Sequence, residues 1–412
     1  MNLGIAQLPQ RCDVLVVGAG PAGAAAALTL ARGGLDVVLV DAQAFPRDKV
    51  CGDALIPDAL AALRRLGVLD AVMAQAQACD HVACIAPRGG RVDVPGTLAV
   101  LPRRLLDDTV CRAAVAAGAH MFAPLRFVAP LEAEGVVVGA QFTSGDHTCE
   151  VRAPWLVLAT GAVPQALLAS GMAQRQTPSG VALRAYVKND AMVGRVGNTL
   201  EIVWHRALSP GYGWIFPCPG GVFNIGAGIA QSHDQRRDGK FAKRALNLNQ
   251  VFDSFTRHYA PARELMQGGQ LLGPLKGAPL RCTLDGALFT RPGLLVTGEA
   301  AGSTYSFTGE GIGKALETGI HAAEAVLAGR ALVHGDAQVR ADYEARLLAL
   351  RPRFRLYERA NVVNHHPWLA DLVIWHARKS ERLRQRMSGV LDETSNPGNL
   401  LTLKGMARVF TE

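Results

Sequence analysis

Gly18, Gly20 and Gly23 stand at the spacing that lets a main chain approach a pyrophosphate and lets the following helix pack on the preceding strand. The free amides and positive dipole end of that helix would then face the phosphates. Asp41 comes 18 residues after Gly23, at the end of the next apolar run, where a carboxylate accepts from ribose hydroxyls and repels a 2′-phosphate. Far down the chain, 298–313 reads Gly-Glu-Ala-Ala-Gly-Ser-Thr-Tyr-Ser-Phe-Thr-Gly-Glu-Gly-Ile-Gly. A strand over 294–297 delivers Gly298 and Glu299 to a tight loop, and the segment through Gly309, Gly311 and Ile312 opens another helix. Glu299 can accept from a ribitol hydroxyl, while amides near Gly309 and Gly311 face a ring that turns negative once reduced. Two such corners suit the two ends of one long cofactor. FAD has that shape, whereas a simple NAD dehydrogenase needs only the first corner. Arg103, just before a helix, is a cation that reaches the cofactor's phosphates or ribitol, or else a solvated helix-end arginine.

The elements that must hold these residues alternate strand and helix. Residues 13–17 and 36–41 read as buried parallel strands around an alanine-rich helix at 21–33, a βαβ unit. The same apolar run has the length of a membrane span, but its central glycines and proline fit strand, turn and helix better. A helix is expected over 58–78 and another over 105–118; short strands follow at 136–142, 148–151 and 155–158. Antiparallel strands are expected between 84 and 101 and over 180–230, then a helix at 240–258 and mostly helix from 314 to 390. The fold class is therefore α/β: a discontinuous Rossmann-type FAD-binding domain (10–82, 102–175 and 275–340) interleaved with an antiparallel β-sheet substrate domain (83–101 and 176–274), and C-terminal helices (341–412).

Four stretches carry a family resemblance in order: the N-terminal glycine loop, Phe45-Pro-Arg-Asp-Lys-Val-Cys51-Gly52-Asp53, Pro210-Gly-Tyr212-Gly-Trp214-Ile-Phe216-Pro217 leading into Gly226-Ala-Gly228, and the 298–313 loop. On them the chain resembles the geranylgeranyl reductase family of FAD-dependent oxidoreductases, within the group sharing the para-hydroxybenzoate hydroxylase fold. The resemblance implies that Cys51 and Gly52 lie beside the isoalloxazine ring, with Cys51 tuning the flavin or donating a proton. It implies that Tyr212, Trp214 and Phe216, on one face of a strand, line the cavity for a long apolar substrate, and that Tyr212 joins Cys51 as a catalytic candidate. Without it, such an aromatic face reads as core. The activity implied is reduction of C=C bonds in an isoprenoid or other apolar substrate, lipids included. NAD(P)H, ferredoxin or a separate reductase would donate the electrons. A flavin-dependent monooxygenase or halogenase of the same fold is the alternative, although halogenases carry Trp-x-Trp-x-Ile-Pro where Tyr212 and Phe216 stand. A flavin-bearing protein without turnover is a third reading. The chain departs from the family pattern at Glu299, where Asp is commoner, and at Ser306, where proline is usual. Ala159-Thr160-Gly161 replaces the Asp-Gly motif that hydroxylase relatives tie to NAD(P)H.

A net charge of +8 over 412 residues suits anionic cofactors and lipid surfaces and is no nucleic-acid signature. Eight scattered cysteines without a Cys-x-x-Cys pair predict neither zinc site nor disulfide framework and suit a reducing, cytoplasmic setting. No metal is expected, and His365-His366 reads as structural. Between Arg351 and Arg386 lie nine basic and three acidic residues with Trp368 and Trp375 among them. Such helices either rest on an anionic membrane surface, which makes the protein membrane-peripheral, or are a solvated face packed on their own domain.

Overall fold

Four consecutive apolar residues in a strand leave no polar face for water, so Val14–Val17 and Val37–Val40 have to be covered on both sides. In the computed structural model, which describes residues 3–235, 241–243, 247–391 and 393, every residue of both strands is buried. They sit at the centre of a six-stranded sheet ordered Thr290–Arg291, Leu294–Val296, Trp155–Leu158, Val14–Val17, Val37–Val40, His120–Phe122. All pairings are parallel except the first, a hairpin edge. Helices Pro21–Arg32 and Ile312–Ala331 pack together over one face. Strands from residues 14 and 294 are thus neighbours but one, which brings the ends of the chain to one cofactor layer.

The second layer is a nine-stranded sheet. Its main path runs Gln270–Leu271, Gly180–Lys188, Val222–Ile229, Gly211–Cys218, Thr199–Val203, Gln77–Ile85, Arg91–Val100, Ala54–Leu55, and Lys276–Leu280 also pairs with Gly180–Lys188. The strand Gln77–Ile85 corrects the helix expected over 58–78. That segment holds two short helices, Pro57–Arg65 and Leu69–Met73, broken where Gly67 turns at φ +63°. The sheet also takes strands from segments 54–55, 77–82 and 276–280, which the sequence placed with the cofactor domain. Arg126–Ala133, Val136–Ser144 and His147–Arg152 form a separate three-stranded sheet.

Of the helix expected over 240–258, residues 240 and 244–246 lie outside the described residues, as do 392 and 394–412 of the C-terminal region. The observed helix is Leu248–His258, where the Asn247 side chain accepts the Asn249 amide at 3.0 Å. Phe241–Lys243 instead pairs with His233–Gln235. Helices Asp336–Ala360, Trp368–Ala377 and Glu381–Leu391 lie C-terminal to the second corner, and Ile374 and Leu383 join the core beside the larger sheet. Among the described residues no helix is long and apolar enough to cross a membrane.

Candidate active site

The two glycine-bearing corners meet. Gly23 sits in the first turn of helix Pro21–Arg32, so close to the Gly18 carbonyl that no Cβ fits between them. Gly298, at φ +66°, donates its amide to the Thr318 hydroxyl (3.0 Å), and a Cβ there would press into the Ala22 methyl. Ala22, Ala159 and Ala315 fill the seam as a small buried cluster. A single cavity of about 640 Å³ runs past both corners, touching Gly18, Gly20, Asp41, Glu299, Gly309, Gly311 and Ile312.

Charge is arranged along it. Asp41 closes the first corner by accepting the Ala19 and Gln43 amides, both at 2.9 Å. Beside Gly20 stand two guanidiniums: a Cβ on that residue would lie 3.6 Å from Arg103 Nη2 and 3.7 Å from Arg47 Nη2. Arg103 is no solvated helix end. It is 8 % exposed and held by Asp107 through two hydrogen bonds of 2.7 and 2.8 Å. Asp107 also takes Arg47 at 3.0 Å. Arg47 also bridges to Asp41 at 3.4 Å, so two carboxylates hold the two guanidiniums at the glycine loop, and their N–H forks are the donors to which a diphosphate is complementary. At the other corner Glu299 lies on the turn Gly298–Ala301 and accepts from Thr304 Oγ1 at 3.3 Å.

Between the corners the cavity widens against the large sheet. Tyr212, Trp214 and Phe216 share one face of Gly211–Cys218, each ring 6.2 Å from the next, and Trp204 and Phe307 continue the row. Val82, Leu200 and Ile202 add aliphatic wall, and Ala370, Ile374 and Met387 of the C-terminal helices close the far side. The Tyr212 hydroxyl donates to the Thr308 carbonyl, tying this strand to the second corner. Trp204 Nε1 donates to Asn364 Oδ1 and Asn364 Nδ2 to the Phe307 carbonyl, both at 2.9 Å, which joins sheet, corner and C-terminal segment.

Cys51 and Gly52 lie at the junction: a Cβ on Gly52 would stand 3.1 Å from the Phe216 ring. Burial holds the Cys51 thiol above its ordinary value even with the Arg103 guanidinium beside it, so the group is a thiol and not a thiolate at neutral pH. The segment is pinned by residues that sequence reasoning missed. Asp53, fully buried at φ +68°, accepts the Arg103 amide (3.2 Å), the Tyr186 hydroxyl and Asn224 Nδ2 (2.7 Å). Asn224 also donates to the Cys51 carbonyl (2.8 Å) and accepts Trp214 Nε1 (2.9 Å). Burial pushes the Asp53 carboxyl up to about 6 against those hydrogen bonds. The only signal for Asp53 was its place after Cys51-Gly52.

Comparison with known proteins agrees with this geometry. Residues 11–241 match the family described as FAD binding domain. The menaquinone reductase of Mycolicibacterium smegmatis is 35% identical over 77% of this chain and 77% of its own length. A digeranylgeranylglycerophospholipid reductase of Methanopyrus kandleri is 29% identical over 76% of each chain. The chain belongs to the geranylgeranyl reductase family of FAD-dependent oxidoreductases. Among solved structures, a geranylgeranyl bacteriochlorophyll reductase-like protein of Thermoplasma acidophilum superimposes at TM-score 0.72, with 21% identity over 98% of this chain and 96% of that one. A flavin-dependent brominase does so at 0.71, with 20% identity over 97% and 98%. These likenesses establish the fold and not the chemistry.

For this member of the geranylgeranyl reductase family, FAD fits the residues present. Gly18 and Gly20 line the cavity, a Cβ on Gly20 would meet nothing nearer than 3.6 Å, Arg47 and Arg103 supply cations there, and the same cavity reaches Glu299 and Gly311. The protein is an FAD-dependent oxidoreductase of the geranylgeranyl reductase and menaquinone reductase type.

Proposed function

We propose that this protein saturates C=C bonds of an isoprenoid chain, carried by a lipid or a prenylated quinone. The carrying observation is the apolar chamber that widens from the cavity between the two corners, walled by Trp204, Tyr212, Trp214 and Phe216 and closed by C-terminal helices. A flexible polyprenyl chain matches it in shape and polarity, since burying its apolar surface is favourable at roughly 25 cal/mol per Å². In this reading Gly18, Gly20, Gly23, Asp41, Arg47, Arg103, Gly298, Glu299 and the Gly309–Ile312 amides hold FAD, and Cys51 and Gly52 face its ring. When reduced, the bound cofactor supplies a hydride. The aromatic row places the alkene and excludes water and oxygen. The electrons come from NAD(P)H, ferredoxin or a separate reductase. The test is anaerobic reduction followed by incubation with a prenyl-lipid mixture and mass spectrometry. Products heavier by two hydrogens per saturated bond are expected. Substrate-coupled oxygen uptake with a hydroxylated or halogenated product would instead establish the monooxygenase or halogenase reading.

The same reading places the protein on a membrane surface. Helix Trp368–Ala377 turns Ala370 and Ile374 to the chamber, while Trp368 and Trp375 are 54 % and 51 % exposed on its outer side. Lys379 Nζ lies 4.3 Å over the Trp375 ring. A basic, tryptophan-bearing outer face beside a lipid chamber suits an anionic bilayer. The double variant Trp368→Ala, Trp375→Ala is expected to bind anionic vesicles about tenfold more weakly. Co-sedimentation measures this, and wild-type binding by the variant would remove the membrane assignment.

A further inference from the structure

Saturating an alkene takes a proton as well as a hydride, and a positioned acid commonly supplies it. Glu310 lies between Gly309 and Gly311 on the loop that opens helix Ile312–Ala331, and it lines the cavity. The loop is rigid there. The Glu310 carbonyl accepts the Tyr305 amide and the Gly309 amide donates to the Tyr305 carbonyl, both at 2.9 Å. On the chamber side, Tyr212 bonds the Thr308 carbonyl, and a Cβ on Gly309 would lie 3.0 Å from the Tyr212 hydroxyl. Glu310 is thus held at the seam between the second cofactor corner and the aromatic wall.

Behind it lies a cluster the alkene-reductase reading has not used. Lys314, 2 % exposed and one turn further along the helix, contacts Asp58 at 3.6 Å, Glu317 at 2.6 Å and Glu393 at 2.9 Å. The Lys314 ammonium touches all three carboxyls, Arg353 also pairs with Glu393, and Asp58 Oδ1 is buried without a hydrogen-bond partner. Around Glu310 stand Asp58 of helix Pro57–Arg65, Glu393, Lys314 of helix Ile312–Ala331, the Thr308 side chain, Tyr212 of the chamber strand and Tyr357 of helix Asp336–Ala360. A fourth carboxyl in a low dielectric, beside three others that share two cations, is driven towards its protonated form. Burial first, then Asp58, pushes Glu310 up to about 8, and burial pushes Asp58 up to about 7.

Resting on the alkene-reductase reading, we propose that Glu310 donates the proton that completes each saturation and that Asp58 and the Lys314 cluster resupply it. One alkene carbon uses the π pair to form a C–H bond with the proton, and the O–H pair stays on Glu310 as carboxylate. The neighbouring carbon gains the hydride and its electron pair. Asp58 or water then reprotonates Glu310, so each double bond consumes one hydride and one proton.

The test compares wild type, Glu310→Gln and Glu310→Asp, all flavin-loaded. The first measurement needs no substrate. A carboxyl whose proton affinity is raised by folding adds stability that is complete below its ordinary value near 4.5 and is lost as pH climbs through about 8. Glutamine has no proton to lose. Glu310→Gln is therefore expected to melt with wild type near pH 5 and several degrees above it at pH 9; coincident curves at both would overturn the proposal. The second is anaerobic single turnover on a prenyl substrate. Wild-type saturation should fall off above pH about 8. Glu310→Gln should slow by about 100-fold or more, with Glu310→Asp between, each rate taken per fully reduced bound flavin. A Glu310→Gln rate within about threefold of wild type, less than a positioned acid commonly supplies, would overturn the role of Glu310 alone. Wild type that saturates nothing would overturn the reductase reading and this role with it.

Discussion

Alanine at Gly23 is expected to yield a protein that purifies without flavin and unfolds at markedly lower urea. Its Cβ would be driven into the Gly18 carbonyl oxygen and would also stand 3.0 Å from Gly18 C and 3.1 Å from the Ala159 methyl. None of these neighbours can yield. Gly18 is main chain at φ +98° whose amide already donates to Val40 at 2.7 Å, and Ala159 continues a buried parallel strand. Helix Pro21–Arg32 must then lift off the sheet and carry its amides away from the diphosphate, and it also loosens its packing on Ile312–Ala331. Overpacking a tight site costs about 1–3 kcal/mol, and a main-chain collision more. Flavin absorbance of the purified protein and the urea midpoint measure the two effects. Full flavin content in a variant of wild-type stability would show that the close approach is not needed.

Removing Asp107 should be nearly as damaging, and more so without cofactor than with it. This carboxylate is 1 % exposed and is the shared partner of Arg103 and Arg47. In Asp107→Ala the Arg103 guanidinium loses the carboxylate that holds it and Arg47 keeps only Asp41, a loss of about 3–5 kcal/mol by the usual cost of breaking a buried pair. A diphosphate bound at the glycine loop would bring negative charge to the same place, so on the proposed placement FAD binding should restore part of that loss. Melting temperatures of the flavin-stripped and flavin-loaded forms, wild type against variant, give the comparison. A gap of equal size in both forms would mean that these arginines do not face the cofactor.

How far the site could be read in advance follows from the range of the contacts. The first glycine loop and Asp41 belong to one strand–turn–helix–strand unit, in which hydrophobic period and glycine spacing are local signals. The alternation that puts Tyr212, Trp214 and Phe216 on one face is equally local. The helix expected over 58–78 failed because its apolar spacing fits two short helices and the start of a strand as well as one long helix. Arg126–Ala133 escaped notice because most of its residues are exposed or half-buried, so it lacks an apolar pattern.

The linear chain by itself determined the two glycine-bearing corners and pointed to a dinucleotide-type cofactor, because strand period, helix onset and glycine spacing all act within about 25 residues. Only tertiary structure decided which side chains complete the site. Asp53 reaches Asn224 across 171 positions and Arg47 reaches Asp107 across 60. Burial first, and then Asp58 and Glu393 from far away in sequence, raise the proton affinity of Glu310. Proton affinity depends on burial and on neighbouring charge, and both exist only once the two sheets and the C-terminal helices have closed around the cavity.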